Sequence, residues 1–244
     1  MTKFKYYYRK KQFRGYIFGT SRGGIAVNEI YNLFKKDFLL IKKYLLTIFL
    51  FIVIAPIFIS YSTPLFQKNG NILYGILVLM ITFMVYHSIS LEEMKQKGQV
   101  YLKITPMKCS RVVMAKYVVV NFTFIVTTIL FLILSKVPIT CVGKIDIKVI
   151  LLYFVLIEIF FGIYIPMTFK FGYVKLQIIS AGIIFIAPFL TAFIINHFRD
   201  NLQLISNIKN SSTLLIAGLS LLMICVSISF GIVVSNKIIK NKEY

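Results

Sequence analysis

Six charge-poor apolar runs, each long enough to cross a bilayer, constrain this chain more than anything else in it. They cover residues 44–67 (24 residues), 69–91 (23), 117–135 (19), 149–169 (21), 176–198 (23) and 210–236 (27), and Glu158 is the one charge inside them. A transmembrane helix needs about 20 mostly apolar residues to cross roughly 30 Å of hydrocarbon. The runs take up 137 of the 244 residues, which leaves pieces too short to build a separate soluble core. The expected fold is all-α: a polytopic membrane protein with six transmembrane helices.

The net charge of +20 would point to nucleic acid in a soluble protein, so the location of the 28 basic residues decides its meaning. Counted by alternate loops, 22 of them lie before residue 44, between 95 and 116, at Lys170 and Lys175, and in the tail, against 6 on the other side. The positive-inside rule then places both termini in the cytoplasm. The charge is a topology signal whose natural partner is anionic lipid. No nucleic-acid role is expected, because no basic helix has a soluble fold behind it. Tyrosines such as Tyr44, Tyr61, Tyr117 and Tyr173 fall near span ends, where an amphipathic ring suits the interface. The N-terminus is polar and basic, so the first run is read as a retained anchor rather than a cleaved signal.

Three segments outside the runs carry pattern. Residues 1–25 form a basic arm rich in Tyr. Gly19 and Gly24 in it have phosphate-loop spacing, but Ile25-Ala26 stand where Lys and Ser or Thr must be. ATP and Mg²⁺ are therefore expected on another polypeptide, with no cofactor and no catalytic or metal residues in this chain. In residues 26–43 the apolar Val27, Ile30, Tyr31, Phe34, Phe38 and Ile41 recur every three or four positions opposite Asn28, Asn32, Lys35 and Lys36. That spacing predicts an amphipathic helix lying at the membrane interface, its apolar face toward lipid. Residues 44–244 make up the transmembrane domain, whose cytoplasmic loop 92–116 starts as a continuation of the second span. Glu93 and Lys97 are set there for an i,i+4 pair, and Thr105-Pro106 then breaks the helix. Such an elbow is a natural docking surface for a soluble partner.

Inside the runs, Glu158 costs about 3 kcal/mol or more at mid-bilayer as a charge, so it should face the bundle interior and be protonated or hydrogen-bonded. It is a candidate for a substrate path or a subunit interface; the alternative is a structural acid satisfied by a neighbouring helix. Pro56, Pro166 and Pro188 predict kinks. Ser227, Gly231 and Ser235 form a small-residue stripe for close packing on the last span. Cys109, Cys141 and Cys225 fall in an inner loop, an outer loop and a span, too far apart for a disulfide framework.

The stretch Asn32-Leu33-Phe34-Lys35-Lys36-Asp37-Phe38-Leu39 entering the first span, and Ser110-Arg111-Val112-Val113-Met114-Ala115-Lys116-Tyr117 following Pro106, resemble the ABC-2 type permeases of Gram-positive bacteria, with the type V fold. The match departs at Thr105, where Leu is usual, and in the placement of Lys108 and Arg111 around Cys109. The resemblance implies two permeases, as a homodimer or a related heterodimer, working with two copies of a separate ABC ATPase. It also implies that Ile30, Phe34, Asp37 and Phe38 of the interfacial helix, and Glu92, Glu93, Lys97, Gly98, Leu102, Thr105, Pro106 and Arg111 of the loop, transmit nucleotide-driven closure. The family includes exporters of amphipathic toxin and antimicrobial peptides, among them staphylococcal phenol-soluble modulin exporters, as well as lantibiotic immunity subunits. An amphipathic peptide is the substrate implied, with lipid or antibiotic export, or a non-transporting scaffold, as other readings.

A CAAX-type intramembrane protease is the rival from another class, since Glu92-Glu93, His87 after Phe83, and His197 partly resemble its motifs. The topology argues against it. Glu92 and Glu93 fall at the cytoplasmic end and His197 near the outer end, whereas catalytic groups must converge within hydrogen-bond reach.

Overall fold

The computed structural model describes residues 22–62, 67, 70–96, 109–137, 140, 142–178 and 213–241. Their long helices are α1 (Arg22–Leu40), α2 (Lys42–Ser62), α3 (Gly70–Lys95), α4 (Cys109–Lys136), α5 (Ile147–Phe171) and α6 (Thr213–Asn241), and no strand occurs among the described residues. Five of these, all but α1, are long and apolar enough to span a membrane. They match the expected runs at 44–67, 69–91, 117–135, 149–169 and 210–236. The run at 176–198 lies outside the described residues from 179 onward.

Most of the helices overhang their apolar runs. α4 has 28 residues and so a length of about 42 Å at 1.5 Å per residue, against roughly 30 Å of hydrocarbon. Its first turns carry Arg111 and Lys116 ahead of the apolar run. A hydropathy pattern sees only the part of a helix that meets lipid, and the overhanging turns are where charged side chains gather. α1 begins earlier than expected, at Arg22, and ends at Leu40, so Lys42 and Lys43 belong to the spanning helix α2. One fully buried residue, Ile41, joins the two helices, its carbonyl accepting from the amides of Tyr44 (2.8 Å) and Leu45 (3.1 Å).

The far end of the bundle is closed by a reciprocal pair. Asn71 Nδ2 donates to Asp146 Oδ2 (3.3 Å) and the Asp146 amide donates back to Asn71 Oδ1 (3.0 Å), tying the start of α3 to the residue before α5. The interior between them is apolar with threaded hydroxyls. Tyr74 and Thr128 share a hydrogen bond of 2.8 Å between α3 and α4, and Tyr86 and Thr168 one of 3.2 Å between α3 and α5. In lipid such cross-helix bonds and close fit must replace the hydrophobic drive that water supplies.

The most extensive helix pairing is α5 with α6, and it uses the small-residue stripe expected on the last span. Ser227 Oγ donates to the Glu158 carbonyl at 2.6 Å, Gly162 lies against Ser227, and Gly231 lies against Tyr117 and the Gly162 carbonyl. Pro166 has no N–H, so the Gly162 carbonyl lacks its donor four residues on. The backbone of Gly231 packs against that carbonyl. Pro56 and Pro166 both sit within unbroken helices, and Pro188 lies outside the described residues. The contacts advance in the same direction along both helices, from Gly162 with Ser227 to Lys170 with Lys237, so α5 and α6 run parallel.

Where α3 starts, a Cβ on Gly70 would stand 2.1 Å from the Gly143 carbonyl oxygen, backbone that cannot swing aside, whereas Gly218 has nothing within 4 Å. Gly70→Ala is expected to destabilise the protein by about 1–3 kcal/mol through overpacking. Gly218→Ala should be neutral or slightly stabilising. Denaturant unfolding of the two variants in the same detergent checks this.

Candidate functional site: a charge network clasping the ends of one loop

Four charged residues from three helices close a ring at the basic end of the bundle. Lys36 Nζ lies 3.1 Å from Asp37 Oδ1 and 2.7 Å from Glu93 Oε1, while Lys116 Nζ lies 2.9 Å from Asp37 Oδ2 and 2.8 Å from Glu93 Oε1. Each ammonium thus bridges both carboxylates, and the ring is neutral as a unit. The side chains of Asp37 and Lys116 are only 1% and 5% exposed. Burial pushes the Asp37 carboxyl above its ordinary range, with the neighbouring Lys116 charge pulling hardest the other way.

Two further pairings flank the ring. Glu92 Oε1 meets Lys43 Nζ at 2.9 Å, Lys95 Nζ at 3.1 Å and the Tyr44 hydroxyl at 3.1 Å, linking the end of α3 to the start of α2. Arg111, in the first turn of α4, forms a tight ion pair with Glu29 of α1.

The local reason lies in α1. Glu29, Leu33, Asp37 and Ile41 follow one another every four residues and are all buried, forming a stripe turned to the bundle. The expected apolar face is therefore divided. Phe34 and Phe38 pack edge-on against Phe122 of α4, with ring centroids 5.3 Å apart in each case, whereas Val27 and Tyr31 are 67% and 60% exposed. Ile30 is half-buried against the core. α1 is docked along α4, with Glu29 meeting Arg111, Asp37 meeting Lys116, and Phe38 meeting Phe122.

Of the expected loop residues, Glu92, Glu93 and Arg111 are brought into this assembly. Lys97, Gly98, Leu102, Thr105 and Pro106 lie outside the described residues. Glu93, set by its spacing to pair with Lys97, reaches Lys36 and Lys116. Glu29, Lys36, Lys43, Tyr44, Lys95 and Lys116 were not among the site residues expected from the pattern. One signal for them was available: five of the chain's eight acids fall on the side that also holds most of the basic residues.

Glu158 is a separate feature. It is fully buried in α5, as expected of an intramembrane acid, and neither carboxyl oxygen has a hydrogen-bond partner of good geometry among the described residues. Asn121 of α4 is within electrostatic reach, but its amide nitrogen donates to the Tyr117 carbonyl at 3.0 Å. His87 is engaged elsewhere, its Nε2 2.7 Å from the Tyr173 hydroxyl and its ring stacked on Phe83.

Five membrane-competent helices, with α1 docked against both flanks of residues 97–108 at the basic end, define a multi-pass membrane protein. Residues 32–240 match the family model described as ABC-2 family transporter protein, and the chain belongs to that family. No curated protein and no solved structure matches it. Membership makes the chain a permease subunit of an ABC transporter and implies an ABC ATPase as its partner.

Breaking the ring on one side strands buried charge. Lys116→Met should cost about 3–5 kcal/mol, because Asp37 and Glu93 then share Lys36 alone, and Lys116→Met with Asp37→Leu should recover most of that by restoring neutrality. A double-mutant cycle on unfolding free energy in detergent measures the coupling.

Proposed function

We propose that this chain is the membrane subunit of an ATP-driven exporter in the cell membrane of a Gram-positive bacterium, with two permeases working beside two ATPases. The observation that carries the reading is the charge network, which joins α1 to the last turn of α3 and the first turns of α4, the two flanks of loop 97–108. A partner pressing on that loop would act on α1, α3 and α4 together. The basic end faces the cytoplasm on the charge asymmetry, and both termini lie there. Six crossings are supported by the parallel run of α5 and α6, since a chain that leaves one side after α5 must return to the other before α6 begins.

The substrate is an amphipathic peptide. The bundle surface is apolar with scattered hydroxyls, and such a path between two subunits suits a molecule that enters from the inner leaflet; it would strip water badly from ions or sugars. Glu158 is the one charge inside the apolar runs; buried within this subunit, it contributes to the path or to the interface between permeases where the helices around it part.

Purified alone, the chain should hydrolyse no ATP; co-expressed with its ATPase it should co-purify, and replacing residues 97–108 by a Gly-Ser linker should abolish that association. Retention of the ATPase by the linker variant would overturn the coupling assignment. In the reconstituted complex, amphipathic peptides should stimulate hydrolysis where lipids and antibiotics do not, and Glu158→Gln should fold normally yet alter transport or its pH dependence. Stimulation by lipids or antibiotics but by no amphipathic peptide would overturn the substrate.

A further inference from the structure

Toward the basic end, α5 and α6 leave between them an open groove of about 590 Å³, within the ~300–1,000 Å³ typical of small-molecule sites. Its walls are apolar, with Ile163 and Pro166 on one side and Phe230 and Val234 on the other. Lys170 and Lys237 stand at the same end of it, and no acidic residue lines it. Ile163 and Phe230 are 55% and 57% exposed, so the groove opens outward from the bundle.

The two lysines differ from the basic groups of the charge network. Lys36, Lys43, Lys95, Arg111 and Lys116 all hold carboxylates, whereas Lys170 and Lys237 have no ion-pair partner among the described residues. Lys170 Nζ lies 5.2 Å from the centroid of the Phe171 ring, which steadies the ammonium beside the groove. Their depth is also informative. Lys170 follows Glu158, near the middle of its apolar run, by three helical turns or about 18 Å, just beyond half of the roughly 30 Å hydrocarbon layer. That is where lipid phosphates lie.

We propose that this groove binds an anionic phospholipid, with its phosphate between Lys170 and Lys237 and an acyl chain along Ile163, Pro166, Phe230 and Val234. A headgroup of net negative charge is selected because two ammonium groups act with no carboxylate nearby to hold a choline. The site rests on the membrane assignment and requires neither nucleotide nor an ATPase, so its failure is distinguishable from failure of the transport reading.

The test is lipid binding by the full-length chain in non-ionic detergent, read by native mass spectrometry, with phosphatidylglycerol and phosphatidylcholine of identical chains. Phosphatidylglycerol should bind at least tenfold more tightly, as expected of two lysines near the headgroup plane. Lys170→Gln with Lys237→Gln should abolish that preference, while Lys35→Gln with Lys42→Gln, an equal charge loss at exposed sites on α1 and α2, should keep it. Val234→Trp, which fills the groove and leaves both lysines, should weaken phosphatidylglycerol severalfold; it decides the matter if the double lysine variant does not fold. Equal binding of the two lipids, a preference that survives loss of Lys170 and Lys237, or equal loss in the Lys35 and Lys42 variant would overturn the site. So would an anionic amphipathic peptide that occupies the groove to the exclusion of phosphatidylglycerol.

Discussion

Lys116 is an ammonium buried among three helices, and taking such a group out of water costs several kcal/mol unless carboxylates stand ready to receive it. Asp37 from α1 and Glu93 from α3 do so, and Lys36 balances the second negative charge they bring. Asp37, Glu93 and Lys116 are each costly there without an opposite charge, so the formation of the ring fixes α1 against α3 and α4 at one register. The ring adds little net stability compared with an apolar contact of the same shape. What it supplies is a penalty for every arrangement in which one of the three helices is out of place.

Between α5 and α6 the bundle depends on closeness instead of charge. α5 and α6 approach through Gly162, Ser227 and Gly231, and the proline that removes a hydrogen bond from α5 lies where a glycine of α6 packs against the carbonyl it leaves. The two halves of the molecule therefore follow different rules. Around α1 position is set by ion pairs, and around α6 by backbone proximity, as suits an end that meets headgroups and a middle that meets hydrocarbon.

The spans were legible in the sequence because lipid imposes a minimum apolar length, and five of the six runs coincide with described helices. The loop flanks Glu92, Glu93 and Arg111 were legible as a site because they interrupt the apolar pattern beside a proline break. The partners of those residues were not. Asp37, named through the family resemblance, lies between Phe34, Phe38 and Ile41, and by periodicity alone a carboxylate there reads as a stray polar position; its pairing with Lys116, 79 residues away, could not be read. Long-range pairing of this kind leaves no local periodicity to read. Phe34, Phe38 and Ile41 are turned to the bundle where lipid was expected, whereas Val27 and Tyr31 stay exposed, as an apolar residue next to a bilayer can be at no penalty.

The single buried residue between α1 and α2 has a mechanical consequence. Ile41 holds the amides of both Tyr44 and Leu45 on one carbonyl, which leaves almost no slack between the docked helix and the first span. The two helices meet at a joint one residue long. A displacement of the docked helix has one residue in which to be taken up before it reaches the first span.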